Sequence, residues 1–239
     1  MVMPKSNDCD ECELRLLREF QSRVADLEQD EDTCLRFLTA REFKIHLAEE
    51  MMRNSVEWRK TIGIDNYLNW VVSEAKEEDH IFKITGVNHN GGPVLWVPLG
   101  TWLARYWVER GKQEETTLYG YRILETAFRE MKSRNNKKIV AILGIETLTY
   151  YKVSHVPTLK VLYAAFQSLE QNYPEILQSL IIVNAPWMFS IAFSFIKPIL
   201  SPKTLGKIQV FNSEREKWLP ALRQLMPDSA IPSDYLKSA

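Results

Sequence analysis

The sequence predicts an α/β protein in which a helical N-terminal third precedes a layer of strands that alternate with helices. Apolar residues in the first third recur at helical spacing, as in Leu14, Leu17, Val24 and Leu27. From Ile81 onwards, short apolar strands alternate with longer helical stripes, which is typical of an α/β layer architecture. The length of 239 residues suits one large domain, or a domain with a small helical cap.

We therefore expect a helical cap over residues 1–75 and a second domain over residues 76–239. An acidic run from Asp30 to Asp32 ends the first helix and offers caps for the next one. The apolar stripe of a third helix stops at Gly63, a natural helix end. The second and third helices are predicted over residues 33–41 and 46–61.

The second domain is predicted to open with a β-hairpin, in which the Asn- and Gly-rich turn 88–92 joins two strands. After the hairpin, helical stripes alternate with short apolar runs that we interpret as buried strands. The predicted elements are strands 81–87 and 93–99, helix 118–131, strand 138–145, helix 159–169, and strands 180–183 and 208–211.

Composition and charge exclude several classes of protein. Hydrophobic residues make up 45% and charged residues 26% of the chain, as in ordinary globular proteins. No apolar run reaches the ~18–20 residues of a membrane-spanning helix, and the polar, acidic N-terminus predicts no signal peptide. The net charge of −1 combines −8 over residues 1–80 with +7 over residues 81–239. A basic half can face anionic lipid or nucleic acid, but an uneven solvated surface explains it equally well.

Signatures of catalysis and of metal binding are absent from the sequence. There is no Gly-rich phosphate loop, no G-x-S-x-G, no H-E-x-x-H and no paired CxxC motif. The four histidines lie far apart and lack the spacing of metal ligands. Three cysteines suit a reducing compartment better than a disulfide framework. We therefore expect a protein without catalytic residues or a metal site.

The most unusual segment runs from Ala185 to Leu200 and is almost entirely apolar. Its polar residues Ser190, Ser194 and Lys197 are spaced so that they share one helical face. A continuous helix of this length would be about 24 Å long, too short to span a bilayer comfortably. The segment is therefore a buried core helix, a movable lid over an apolar cavity, or a contact with a membrane surface.

Two polar segments flank that apolar run. Residues 173–175 read Tyr-Pro-Glu and precede the strand that leads into it, whereas Ser201 to Lys207 follow it. Ser201 is a predicted N-cap, and Thr204 and Lys207 share a helical face. A hydroxyl beside an ammonium group is a plausible phosphate clamp, although such helix starts are common.

Taken together, these segments resemble the CRAL-TRIO family of lipid-binding domains over about residues 32–235. Members of that family include phosphatidylinositol transfer proteins, supernatant protein factor and the α-tocopherol transfer protein. The resemblance rests on a set of short strings that occur in family order and spacing. They are Leu35 to Phe43, Glu57 to Lys60, Asn90 to Val94, Asn172 to Glu175, Val183 to Trp187, Lys197 to Leu200, Lys207-Ile208, and Ile231 to Tyr235.

The resemblance implies a helical cap and an α/β lobe in which a mixed β-sheet floors an apolar lipid pocket. The helix after Asn184-Ala185-Pro186 would act as the gate of that pocket. It also implies a headgroup site at Arg41, Glu175, Thr204 and Lys207, with Arg41 and Lys207 on phosphate and Glu175 on inositol hydroxyls. A structural ion pair is the other interpretation of Arg41 and Glu175. The expected pocket and gate residues are Leu162, Tyr163, Phe166, Ile182, Trp187, Phe189, Phe193 and Ile196.

The sequence departs from the family pattern at several positions. Ile176 stands where inositide-transferring members have a basic residue, and Glu42 replaces a residue that is often basic. The usual Asp-x-x-Gly-Leu at the end of the central strand reads Gly144 to Leu148 here. The wall of the pocket is therefore expected to differ from that of relatives.

We expect a cytoplasmic, non-enzymatic and monomeric protein that contacts anionic membranes transiently and does not bind nucleic acid. It would bind one hydrophobic ligand, such as phosphatidylinositol or a tocopherol-like isoprenoid, and transfer it between membranes. No cofactor other than the bound lipid is expected. The alternative is a signalling or protein-interaction module that senses lipid and holds it without transfer.

Overall fold

The chain divides into two compact units, one up to Asp65 and one from Asn66. The computed structural model describes residues 6–70 and 77–237. The boundary predicted from the sequence, between residues 75 and 76, lies within the segment 71–76 and so outside the described residues.

The first unit is a three-helix assembly around a small apolar core. Asp30 caps the second helix, because its carboxylate accepts a hydrogen bond from the backbone N–H of Thr33 at 2.7 Å. The helical stripes converge on a core that includes Phe20, Leu38 and Met52. The helices are α1 (Ser6–Arg23), α2 (Glu31–Ala40) and α3 (Ile45–Ile62).

The second unit contains a five-stranded mixed sheet in the order β1-β2-β3-β4-β5. The first two strands pair antiparallel through the predicted hairpin, and the remaining neighbours are parallel. This topology confirms the predicted α/β fold with a mixed sheet. The strands are β1 (Lys83–Val87), β2 (Pro93–Val97), β3 (Ile139–Gly144), β4 (Leu177–Val183) and β5 (Ile208–Val210).

Helices cover both faces of this sheet. Side chains of β3 and β4 alternate in direction. Ile142 and Ile181 pack with Trp218 and Leu222 on one face, and Leu143 lies towards a cavity on the other face. The helices of this unit are α4 (Ala104–Val108), α5 (Gln113–Ser133), α6 (Tyr150–Val153), α7 (Val156–Asn172), α8 (Phe189–Ile196), α9 (Pro202–Leu205), α10 (Arg215–Leu225) and α11 (Ser233–Leu236).

The apolar segment 185–200 is only partly α-helical, which corrects the continuous helix used in the sequence estimate. Helix α8 has eight residues, and a short 3-10 helix, Lys197–Ile199, follows it. Asn184 has a positive φ of 56° before the segment, and Pro198 interrupts its end. The α-helical part is therefore about 12 Å long. In the described part of the chain, no helix is long and apolar enough to cross a membrane.

Candidate functional site

An internal cavity of about 180 Å³ lies between the sheet and the helices that cover one of its faces. The strands contribute Leu95, Ala141 and Leu143 to its wall, and α5 contributes Ile123 and Leu124. Helices α7 and α8 close the opposite side. Because its wall is almost entirely aliphatic and aromatic, the cavity is suited to an apolar ligand.

Three of the eight residues expected at the pocket and gate lie on the cavity wall, namely Leu162, Phe166 and Phe189. The first two come from α7, and Phe189 is the first residue of α8. The helix α8 also contributes Ala192, so the gate segment of the prediction forms one wall of the cavity. The other five expected residues lie elsewhere.

Each of these five side chains has a specific place outside the wall. Tyr163 packs against Phe195 of α8, with ring centroids 5.9 Å apart. Ile182 and Ile196 are buried, with 1% and 2% of their surface exposed. Spacing alone does not specify which helical face meets the cavity. This explains why some of the residues expected on the wall from α7 and α8 lie outside it.

Phe193 and Trp187 of the gate segment also lie outside the cavity wall. Phe193 is half-buried and packs against Phe189, the wall residue one helical turn earlier, with ring centroids 5.5 Å apart. Trp187 precedes α8 and is 72% exposed. Both residues are therefore adjacent to the cavity wall in the chain but do not line it.

Exposed apolar side chains gather on the helices around this wall. Helix α6 packs against α7 and α8, and the three helices carry Val153, Leu159 and Ala192 at their shared contact. Four apolar residues, in α6, in α7 and just before α8, each have more than half of their surface exposed. We call this surface the rim; its residues are Tyr150, Tyr151, Val156 and Trp187.

A cationic end interrupts the apolar wall of the cavity. Lys152 of α6 and Arg105 of α4 both line it, together with the hydroxyl-bearing Thr158. The Arg105 guanidinium lies 3.7 Å from the ring centroid of Tyr151 and pairs with the carboxylate of Glu109 at 2.6 Å. The Lys152 ammonium donates to the carbonyl of Gly100, between β2 and α4. Burial lowers the pKa of Lys152.

A second polar cluster surrounds the carboxylate of Glu175. Its oxygens lie 2.7 Å from the Nζ of Lys203, 3.3 Å from that of Lys138 and 3.7 Å from that of Lys207. Lys138, Glu175 and Lys207 each come just before one of the parallel strands β3, β4 and β5. Because parallel strands start at the same edge of a sheet, their preceding residues meet there.

The charges of this cluster are unequal, since one carboxylate faces three ammonium groups. Burial alone would raise the pKa of Glu175, but the ammonium groups of Lys203, Lys207 and Lys138 hold it below its ordinary value. Burial lowers the pKa of Lys207, and the neighbouring lysines add to that effect against the attraction of Glu175. The cluster therefore has an excess of positive charge that an anion can neutralise.

The four residues expected at a headgroup site are distributed over both units. Glu175 and Lys207 are ion-paired in the second unit, and Thr204 lies on α9, three residues before Lys207. The Thr204 backbone N–H and hydroxyl both contact the Ser201 hydroxyl, at 3.1 and 3.0 Å. Arg41 is the C-cap of α2 in the first unit, where its guanidinium donates to the carbonyl of Ala40.

Sequence reasoning did not identify Lys138 and Lys203 as members of this cluster. Lys138 offered a signal, because it precedes an apolar strand in the same way as Lys207 precedes its own strand. Lys203 follows a proline at the start of α9 and offered no comparable signal.

A mixed sheet with a helix-covered apolar cavity defines a protein of the class that encloses hydrophobic ligands. A family model described as the CRAL/TRIO domain matches residues 77–235. The chain therefore belongs to the CRAL/TRIO family of lipid-binding domains, as the sequence resemblance predicted.

Curated relatives and a solved structure are consistent with this assignment. The chain is 26% identical over 95% of its length to "Protein real-time" of Drosophila pseudoobscura pseudoobscura, and 28% identical over 77% to the same-named protein of Anopheles gambiae. It spans 35% and 28% of those two proteins. It is 29% identical over 86% of its length to the SEC14 cytosolic factor of Candida glabrata and spans 70% of that protein.

The fold is similar to that of the crystal structure of Sfh5. The TM-score is 0.70 at 15% sequence identity, and the match covers 90% of this chain and 84% of that one. This similarity shows that the two proteins share their fold.

Proposed function

We propose that this protein binds one lipid molecule in its apolar cavity and exchanges that molecule with membranes. The single observation that carries the proposal is the nearly unbroken apolar wall of the cavity. Burying one methylene group is worth ~0.8 kcal/mol, so a 16-carbon chain in water is disfavoured by roughly 13 kcal/mol. A cavity that replaces the bilayer as apolar solvent removes most of that barrier to transfer.

The rim is the proposed surface of contact with the membrane. Its exposed aromatic side chains lie on α6 and just before α8, and such side chains partition into the interface of a bilayer. Residues 81–239 carry a net charge of +7, and each well-placed cation adds about 1 kcal/mol of attraction to an anionic surface. In this proposal the rim contacts the membrane, and α8 moves to admit the lipid.

The cluster around Glu175 is proposed as the site of an anionic headgroup. Lys207 and the Thr204 hydroxyl would bind phosphate, and Glu175 would accept hydrogen bonds from inositol hydroxyls. The excess of ammonium groups over carboxylates supports this role. Phosphatidylinositol is the lipid that fits this chemistry best; a tocopherol-like isoprenoid would use the cavity alone.

A vesicle transfer assay tests this headgroup assignment. We expect Lys207→Ala to lower transfer of phosphatidylinositol between vesicles about tenfold, with a much smaller effect on phosphatidylcholine. Lys160→Ala is the matched control, because Lys160 is an exposed lysine of α7 that does not line the cavity. Equal loss for both lipids, or no loss, would refute the headgroup site.

The same assay separates a carrier from a lipid sensor. A carrier raises the transfer rate in proportion to protein concentration, whereas a signalling module that holds lipid tightly leaves the rate unchanged. We propose the carrier, acting as a non-enzymatic monomer in the cytoplasm with transient membrane contact. The relative named SEC14 cytosolic factor supports this location.

A further inference from the structure

One charged group of the cavity wall would have no ionic partner if the bound lipid were neutral. Lys152 lies on the cavity wall, and among residues 6–70 and 77–237 its ammonium has no carboxylate in ion-pair range; it donates to the Gly100 carbonyl. An ammonium group has three donors, so two remain after the bond to Gly100. A cation beside an apolar space is costly unless it is paired, and an anion there would satisfy it.

The second cation of this end is already neutralised. Arg105 pairs with Glu109, and Glu109 also accepts a hydrogen bond from the Tyr151 hydroxyl at 2.9 Å. The uncompensated charge at this end is therefore one positive unit. A singly charged anion, such as a carboxylate, matches it, whereas a phosphate monoester carries nearly two negative charges and would leave a surplus in the apolar space.

The position of Lys152 fits a headgroup at one end of a chain-shaped ligand. Gly100, whose carbonyl accepts its hydrogen bond, follows the carboxyl end of β2, which is parallel to β3. Ligands of open α/β sheets bind beyond the carboxyl ends of the strands. From there the apolar wall continues to Ile139 and Leu177 at the opposite ends of β3 and β4, so an alkyl chain can extend along the sheet. Thr158 also lines the cavity, and its hydroxyl lies 2.8 Å from the Nδ1 of His155.

We propose that the cavity also accepts a long-chain lipid with an ionised carboxylate and binds that carboxylate on the Lys152 ammonium group. This inference rests on the proposed function, because it names the class of lipid for the same cavity. The carboxylate would lie at the end of the sheet opposite to Glu175 and its lysines, so the two clusters recognise different headgroups.

The test compares oleate with oleyl alcohol, which has the same chain and no charge. Both radiolabelled lipids are equilibrated at pH 8.5 between the full chain and phosphatidylcholine vesicles. The measured quantity is the ratio of bound oleate to bound oleyl alcohol. We expect this ratio to be about tenfold or more higher for the original chain than for Lys152→Met, which removes the charge at similar length. Lys160→Met is the control for a lysine outside the cavity, and Lys152→Arg keeps the charge; both should retain the preference.

The outcomes separate this inference from the proposed function. Loss of the oleate preference in Lys152→Met alone, with unchanged binding of oleyl alcohol, supports the assignment. An equal preference in Lys152→Met and the original chain overturns it, even if phospholipid transfer is intact. If the chain takes up neither lipid and transfers no phospholipid, the proposed function fails together with this inference.

Discussion

A β-carbon added at Gly144 would lie 2.1 Å from the hydroxyl oxygen of Tyr235. Gly144 ends β3, and Tyr235 belongs to α11, ninety-one positions later in the printed sequence. The Tyr235 ring is buried against Trp96 and Trp218, with ring centroids 6.3 and 5.4 Å away. The absence of a side chain at residue 144 therefore lets the C-terminal helix pack against the end of the central strand.

This contact predicts that Gly144→Ala destabilises the fold by about 1–3 kcal/mol, because the core must shift to avoid the Tyr235 hydroxyl. Tyr235→Phe removes that hydroxyl, so the double variant should recover part of the loss. Urea unfolding of the four proteins in a double-mutant cycle measures the coupling. Strictly additive effects would show that the two side chains do not compete for this space.

The cluster around Glu175 predicts a loss of stability in acid. The pKa of Glu175 is held below its ordinary value of 4.5, so its stabilising charge is fully present above that pH. The contribution disappears as the pH falls through the lowered pKa. We expect Glu175→Gln to cost about 1–3 kcal/mol at pH 7 and progressively less below pH 4.5. Urea unfolding at pH 7 and at a pH below 4.5 measures this loss of stability. A loss that is the same at the two pH values would contradict the prediction.

The proposed gate predicts that Phe193→Asp abolishes lipid transfer while the protein remains folded. The ring of Phe193 packs against Phe189 of the cavity wall, so a carboxylate there places a charge next to the proposed path of the lipid. Transfer between vesicles should fall at least about tenfold. Ser194→Asp is the matched control on the exposed face of α8 and should transfer normally. Unchanged transfer by Phe193→Asp would refute the gate.

The rim predicts that Trp187→Ala weakens association with anionic vesicles. Trp187 is 72% exposed, so its removal affects the interior little, but it removes an aromatic side chain suited to the bilayer interface. We expect roughly three- to tenfold weaker binding in vesicle sedimentation. Leu68→Ala serves as the control, because Leu68 is an apolar residue with a similar exposed fraction, 67%. Equal effects of the two substitutions would argue against a specific role of the rim.

Much of the architecture could be predicted from the sequence, because its signals are local. The period of apolar residues, the caps at Asp30 and Gly63 and the hairpin turn specify elements that the structure confirms within a few residues. Helix α10 was missed, because Pro220 inside it obscures a stripe that includes Trp218 and Leu222. Proline tolerated within a helix is not a pattern that local rules anticipate.

The site could be predicted only in part, since it depends on contacts between distant segments. The sequence indicated the gate segment and the residues near Glu175, but it did not indicate that Lys152 lines the cavity. That position follows from the packing of the four-residue helix α6 against α7 and α8, which no periodic signal specifies. The expected headgroup role of Arg41, in the first unit, stays a prediction.

Native mass spectrometry of the full chain purified from a eukaryotic host, with lipid extraction, tests the central claim most directly. Lipid binding predicts one lipid molecule for each protein chain, either after purification or after incubation with phospholipid vesicles. A phosphoinositide would support the headgroup cluster around Glu175, and a long-chain carboxylate would support the role of Lys152. A chain that carries no lipid after either treatment would contradict the proposal that this cavity is a lipid-binding site.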